Sequence, residues 1–309
     1  MRYRDSTRKI VENLGNVIWM RDKFIRHILV NYIFPLIYRR NDGIFIMKER
    51  WDNLIILDAC RYDVFSQAFP RFFTDKYEFE KKTSRGSNTT TFLKENFSGK
   101  YDDIVYVTAN PYVNKYLEGS FHKIVPVWKW AWDEKKQTVL PNKVYESALW
   151  AMKNYPNKKL IIHFLQPHPP FLNYTIRTKR KTKFPIYVHP VFVYKKLPTL
   201  SKDFLLKLHY DNLVSALPYV KKLIGVLNGR CIITADHGEA LGEFLAPFLP
   251  IKLYGHLAGA RIHSLTDVPW LVIERYPKEE SNALNCRLPE FDAIDEAGTL
   301  EKLKALGYE

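Results

Sequence analysis

Residues 230–243 read Arg-Cys-Ile-Ile-Thr-Ala-Asp-His-Gly-Glu-Ala-Leu-Gly-Glu, an apolar run of strand character that breaks into a glycine turn and delivers an acid and an imidazole side by side. Cys231 to Thr234 predict a buried parallel strand, so Asp236 and His237 emerge at its carboxyl end, where open α/β sheets place their ligands. An anionic oxygen next to a neutral imidazole suits zinc or manganese, whereas magnesium and calcium favour oxygens alone. The same short string also fits a plain turn in which Asp236 caps a following helix.

A second strand end lies at Asn53-Leu-Ile-Ile-Leu-Asp-Ala-Cys-Arg-Tyr-Asp63, an apolar run that stops on Asp58. Between the two, Thr83-Ser-Arg-Gly-Ser-Asn-Thr-Thr-Thr-Phe-Leu93 reads as a loop entering a helix. It places hydroxyls at a helix start, where free N–H groups favour anions and where serine and threonine are also ordinary caps.

Strand-like runs at 53–58, 103–108, 122–127, 159–165, 230–235 and 268–273 alternate with helical stretches near 142–155 and 202–228, the latter interrupted at Pro218. That alternation predicts an α/β fold, a mostly parallel sheet sandwiched by helices. With 309 residues, 46% hydrophobic and 15% aromatic, the chain can bury a large core, which excludes a disordered protein. The expected organisation is a basic, aromatic segment over 1–50 followed by one catalytic domain over 51–309.

The strings Leu-Asp-Ala-Cys-Arg-Tyr-Asp63, Gly86-Ser-Asn-Thr89 and Thr234-Ala-Asp-His-Gly-Glu-Ala-Leu-Gly-Glu243 stand in the order found in sulfatase-like members of the alkaline phosphatase superfamily, and the chain resembles that family over roughly 51–309. The resemblance extends to Tyr254-Gly-His256, to Asp267-Val-Pro-Trp-Leu-Val-Ile273 and to the terminal Leu300-Glu-Lys-Leu-Lys-Ala-Leu-Gly-Tyr308. In motif it is most similar to the catalytic domains of phosphoethanolamine transferases and lipoteichoic acid synthases.

The resemblance implies one divalent metal, zinc or manganese, held by Asp58, Asp236 and His237, with Thr89 as fourth ligand and nucleophile. Ser87, Thr90 and Thr91 are the neighbouring alternatives. It also implies that His168, from Ile161-Ile-His-Phe-Leu-Gln-Pro-His168, and His256 contact the transferred group or a second metal. Two-metal relatives carry an aspartate four residues before that histidine, and this segment offers Gln166 and no acid, which leaves a second metal without its full ligand set. His163, inside the apolar run, reads as a buried structural histidine, as does His209. Arg61 and Arg85 are candidate phosphate clamps, each with a structural ion pair as the plain alternative.

The expected activity is that of a metal-dependent phosphoesterase or phosphotransferase passing through a phospho-threonine, on a phosphorylated small molecule, lipid or glycan. Sulfate-ester hydrolysis is the alternative within enzymes, but Cys60-Arg61-Tyr62-Asp63 lacks the spacing of the sulfatase nucleophile string. A non-catalytic protein docking on anionic membranes or glycans is the alternative outside them. The formal charge of +14 favours anionic partners, and no nucleic-acid-binding motif is present. Cys60, Cys231 and Cys286 form neither a metal-finger spacing nor an even-numbered disulfide framework, so a reducing cytoplasm is expected, without a secretory signal. Ile28 to Tyr38, flanked by Arg21, Lys23, Arg26, Arg39 and Arg40, is too short to span a bilayer and fits either a packing helix or a peripheral anchor on an anionic membrane. The basic run Arg177 to Lys183 reads as a substrate-docking loop or a solvated surface.

Overall fold

The computed structural model describes residues 27–37, 41–74, 76–174, 201–246, 249–275 and 302. The basic run 177–183, Cys286 and nearly all of the terminal motif lie outside them. The structure is built on β1 (Asn53–Leu57), whose five residues are all buried because both faces of the sheet are covered. β7 (Lys159–Phe164) and β8 (Gly229–Thr234) pair with it in parallel on either side. β3 (Tyr101–Thr108) and β4 (Phe121–Pro126) extend the parallel run beyond β7.

On the other side β11 (Asp267–Arg275) runs antiparallel to β8, and β2 (Glu78–Thr83) antiparallel to β11. The seven-stranded order is β2-β11-β8-β1-β7-β3-β4. Two reversals restore the direction, so β2 again runs the way of β8 and β11 alone is turned round. Among the described residues five helices of seven residues or more flank the sheet: α1 (Tyr62–Ala68), α2 (Thr89–Asn96), α3 (Pro111–Leu117), α4 (Pro141–Asn154) and α5 (Lys202–Val226). Two small antiparallel pairs complete it, β5 (Trp132–Asp133) with β6 (Thr138–Val139) and β9 (Ala240–Ala246) with β10 (Leu249–Gly255). The fold is α/β, with a mostly parallel sheet as the sequence predicts.

Register positions the site. Ile56 lies beside both His163 and Thr234, and Thr108 lies beside His163. Counting two residues on from Ile56, Thr108 and Thr234 reaches Asp58, Asn110 and Asp236, which therefore leave three strands at one height. β2 delivers its carboxyl end to the same edge, where Thr83 pairs with Asp267 at the start of β11.

Several expectations change. Asp236 caps no helix, because the chain after it forms the β9–β10 hairpin. Pro218 does not interrupt α5, which runs unbroken over Lys202–Val226. A proline removes one backbone hydrogen bond, and the burial of Leu213, Ala216, Leu217 and Val220 around it keeps the helix continuous. No strand is expected at 78–83, yet β2 forms there as an edge strand carrying Lys81 and Lys82, charges that protect an edge from further pairing. Residues 41–50 pack into the main body: Ile46 is buried with Trp51 in the principal core, and its amide donates to Asn96 Oδ1 at 3.0 Å. Leu29 and Phe34 join a second, smaller cluster with Ala240, Leu245, Ala260 and Leu265.

Gly86 sits where the chain leaves β2 for α2, and a Cβ there would lie 2.5 Å from both the amide and the Cβ of Phe92. Backbone atoms cannot yield, so the first turn of α2 is pressed against residue 86. Gly86→Ala is expected to lower stability by about 1–3 kcal/mol, the usual cost of overpacking, read as a fall in thermal midpoint.

Candidate metal centre and active site

Asp58 and Asp236 are both fully buried at adjacent strand ends. Ala59, next after Asp58, adopts a left-handed backbone with φ of 58°. That conformation is costly for a residue with a side chain, and such strain gathers at functional sites. Here it turns the Ala59 amide onto Asp236 Oδ1 at 3.0 Å, and the His237 amide donates to the same oxygen at 2.9 Å. With Oδ1 so engaged, Oδ2 faces the interior and accepts from Thr89 Oγ1 at 2.8 Å.

Thr89 opens α2, and the structure separates it from its neighbours. Asn88 is the N-cap, in a capping box with Thr91. Thr91 Oγ1 accepts from the amides of Ser87 and Asn88, and Ser87 Oγ donates to the Leu257 carbonyl at 3.1 Å. Of Ser87, Thr89 and Thr91, only Thr89 meets the acids, and its Oγ1 also stands 3.4 Å from His237 Nε2. Thr90 shares a contact with Tyr112 on α3.

His237 carries its own orientation. Nδ1 lies 2.7 Å from the Gly238 carbonyl, which can only accept, so Nδ1 bears the proton and the Nε2 lone pair points inward. That Nε2 is 3.3 Å from Asp236 Oδ2 and 3.7 Å from Asp58 Oδ1. Asp58 Oδ2 accepts from Asn110 Nδ2 at 2.6 Å, while Oδ1 is buried with no hydrogen-bond partner. A buried carboxylate oxygen left without a donor is what a cation would satisfy.

Four donor atoms thus converge: Asp58 Oδ1, Thr89 Oγ1, Asp236 Oδ2 and His237 Nε2. The four separations that involve His237 Nε2 or join Thr89 to Asp236 run from 2.8 to 3.7 Å, around the spacing of about 3.3 Å that a tetrahedral zinc shell requires. The residues fit a metal on the chemistry of the donors as well as on distance. A neighbouring combination, Asp58, His163 and Asp236, is also compact enough to hold an ion. The two sets differ at Asp58: His163 Nε2 approaches Oδ2 at 3.7 Å, the oxygen that also accepts from Asn110, whereas His237 Nε2 approaches Oδ1.

Electrostatics agree with a missing positive charge. Burial, and next the proximity of Asp236, push the Asp58 carboxyl well above its ordinary value. Burial acts on Asp236 in the same sense, but His237, His163, the Thr89 hydroxyl and the Ala59 amide outweigh it and hold that carboxyl low. Burial lowers His237 too, which keeps the imidazole neutral and able to ligate.

His168 and His256 gather beside this centre, with ring centroids 5.1 Å apart and His256 4.7 Å from His237. His168 Nδ1 lies 2.5 Å from the Pro169 carbonyl, and His256 Nδ1 lies 2.9 Å from Glu239 Oε2. Burial, reinforced by His256, lowers His168 to about 3, so it stands as a neutral imidazole.

Other expectations are corrected. Arg61 does not reach toward the centre as a phosphate clamp. Its guanidinium donates to Asp63 through Nε and Nη2 at 2.9 and 2.6 Å, and through Nη1 to the Glu239 carbonyl at 2.7 Å and Glu243 at 2.8 Å. Arg61 therefore pins the Gly238–Glu243 turn. Arg85 likewise ties Glu95 and the carbonyls of Asn41 and Gly43. His163 is buried as expected and bonded through Nδ1 to the Tyr106 hydroxyl at 3.1 Å, yet its Nε2 has no hydrogen-bond partner and faces Asp58. His209 is wholly buried on α5. Asn110 is the site residue that sequence reasoning missed. Its signal was present, since Thr108-Ala-Asn-Pro111 is a strand end like the other two.

No protein-family model matches the sequence, and no curated protein matches it. The chain is similar in structure to the soluble domain of lipooligosaccharide phosphoethanolamine transferase A from Neisseria meningitidis, at 13% identity and a TM-score of 0.48 over 71% of this chain and 75% of that one. It is similar to the C-terminal periplasmic domain of phosphoethanolamine transferase EptC from Campylobacter jejuni, at 14% identity and a TM-score of 0.45 over 72% and 78%. It is also similar to the lipoteichoic acid synthase LtaP from Listeria monocytogenes, at 12% identity and a TM-score of 0.42 over 74% and 66%.

Proposed function

We propose that this chain is a metal-dependent phosphotransferase or phosphoesterase of the alkaline phosphatase superfamily, with Thr89 as nucleophile. The observation that carries this reading is the buried Thr89 hydroxyl at a helix N-terminus, 2.8 Å from Asp236 Oδ2 and 3.4 Å from His237 Nε2, beside an Asp58 oxygen that accepts no hydrogen bond among the described residues. Zinc or manganese, held by Asp58, Thr89, Asp236 and His237, would lower the pKa of the hydroxyl and draw charge from a phosphoryl oxygen.

In the reaction Thr89 Oγ attacks phosphorus, its hydroxyl proton having been released to solvent. The bond from phosphorus to the leaving oxygen breaks as the Thr89 bond forms, leaving a phospho-threonine, and the departing alkoxide takes up a proton. Water or an acceptor hydroxyl then attacks phosphorus and frees Thr89. The N-terminal end of α2, which carries Thr89, would favour the developing negative charge. His168 and His256, whose Nδ1 atoms meet acceptors, suit a second cation better than donation to phosphate. The substrate is a phosphorylated small molecule, lipid or glycan. Sulfate esters are disfavoured, because Cys60 is buried beside β1 and Thr89 occupies the nucleophile's place.

Contact with an anionic membrane would fit the helical segment 27–37, where Tyr32 and Leu36 are 60% and 64% exposed while Phe34 is buried. No helix among the described residues is long and apolar enough to cross a membrane.

Elemental analysis and turnover of nitrophenyl phosphate monoester, phosphate diester and sulfate test the reading together. Wild type is expected to hold metal and to turn over a phosphorus ester but not the sulfate. Thr89→Ala should lose roughly a thousandfold or more in kcat, the scale of nucleophile removal, and Asp236→Ala should lose the metal as well. Wild type without metal and without turnover under any added cation sinks the proposal. Because the raised Asp58 carboxyl must be ionised to ligate, metal binding should release protons and weaken as pH falls through that group's pKa, seen as a buffer-dependent heat in calorimetry. Tyr32→Asp with Leu36→Asp should reduce sedimentation of the full chain with phosphatidylserine vesicles, and unchanged sedimentation would remove the membrane contact.

A further inference from the structure

The loop that carries His168 cannot brace itself. Pro167, Pro169 and Pro170 have no N–H to donate, and all three are buried, so the loop's carbonyls must find partners elsewhere. They find one on α5. Asn212, 2% exposed, donates through Nδ2 to the carbonyls of Pro167 and His168 at 3.0 Å each, with that of Pro170 at 3.5 Å, and accepts the Leu172 amide on Oδ1 at 3.0 Å. One primary amide thereby spans six residues of loop and uses both its donors and its acceptor.

The His168 ring depends on that backbone. Its Nδ1 meets the carbonyl of the very next residue, Pro169, and the His168 amide donates to the Asp58 carbonyl at 3.1 Å. The ring therefore goes where the 167–170 main chain goes, with Asp58 on one side and Asn212 on the other. α5 holds the opposite wall as well, since Lys202 meets Glu243 at 3.0 Å and Glu243 binds Arg61.

We propose that Asn212 is a positioning residue, fixing the His168 imidazole against His256 and the metal centre by clamping the proline loop to α5. The role rests on the reading of this centre as one for phosphoryl transfer. Asn212→Asp keeps the shape but sets a carboxylate against carbonyl oxygens. Asn212→Ser, too short to span the loop, is the second variant should the first fail to fold.

Two measurements on the full chain test the role. In histidine-labelled protein, with the His168 ring resonance assigned by loss in His168→Gln, either Asn212 variant should move that resonance while those of His163 and His237 stay in place. An unmoved His168 resonance, or a uniform shift of all the histidines, overturns the proposal. In kinetics, the variant should lower kcat/KM by about tenfold in the wild-type background and by almost nothing with His168→Ala, the non-additivity expected of residues acting through one another. Equal losses in both backgrounds overturn it. If the wild-type chain turns over no phosphorus ester, the functional reading fails, and the ring resonance alone then decides the place of Asn212.

Discussion

Everything at this centre follows from burying two carboxylates side by side. Two anions brought out of water into one pocket repel each other and forgo their hydration, and a protein tolerates this only with compensating donors or a cation. Asp236 is compensated by amides on one oxygen and a hydroxyl on the other. Asp58 is compensated by Asn110 on one oxygen alone. The asymmetry marks where a positive charge would be satisfied, while burial holds the neighbouring imidazoles neutral. A charged histidine would relieve the acids but could not then ligate.

The sheet makes that pairing rigid. Because β1 lies between β7 and β8, the acids at the ends of β1 and β8 and the histidines in and after β7 share one hydrogen-bonded frame. The left-handed turn at Ala59 is then an intelligible cost, since it places a backbone donor on Asp236 with no further side chain. Thr89 reaches the same frame by a different route, through Ser84, whose Oγ donates to the Asp236 carbonyl at 2.5 Å, and through Gly86, which admits α2 at close range.

The central strands were legible because parallel strands covered on both faces are written as unbroken apolar runs, and their polar ends announce the site. That rule puts Asp58, Asp236 and His237 just beyond two strand ends, where the structure has them. β2 was not legible, since an edge strand alternates charges like a solvated loop. The hairpin after Gly238 was hidden because its apolar residues cover a second small cluster with Leu29 and Phe34, a contact two hundred residues away in sequence. Arg61 misled in part for the same reason: beside its neighbour Asp63, its partners Glu239 and Glu243 come from nearly two hundred residues on. His163 read as inert because a histidine inside an apolar run does not say which face it occupies or what lies behind it.

The single reversed strand has a consequence for how this architecture can change. β8 leaves the sheet at the edge that carries Asp58 and Asp236 and β11 enters from that same edge, so residues 235–266, with the hairpin and His256, begin and end within one strand spacing of each other. Lengthening such an excursion costs little closure entropy and shifts no strand register. The wall that the hairpin and His256 form can therefore be rebuilt by insertion and deletion while Asp58, Thr89 and Asp236 stay where they are.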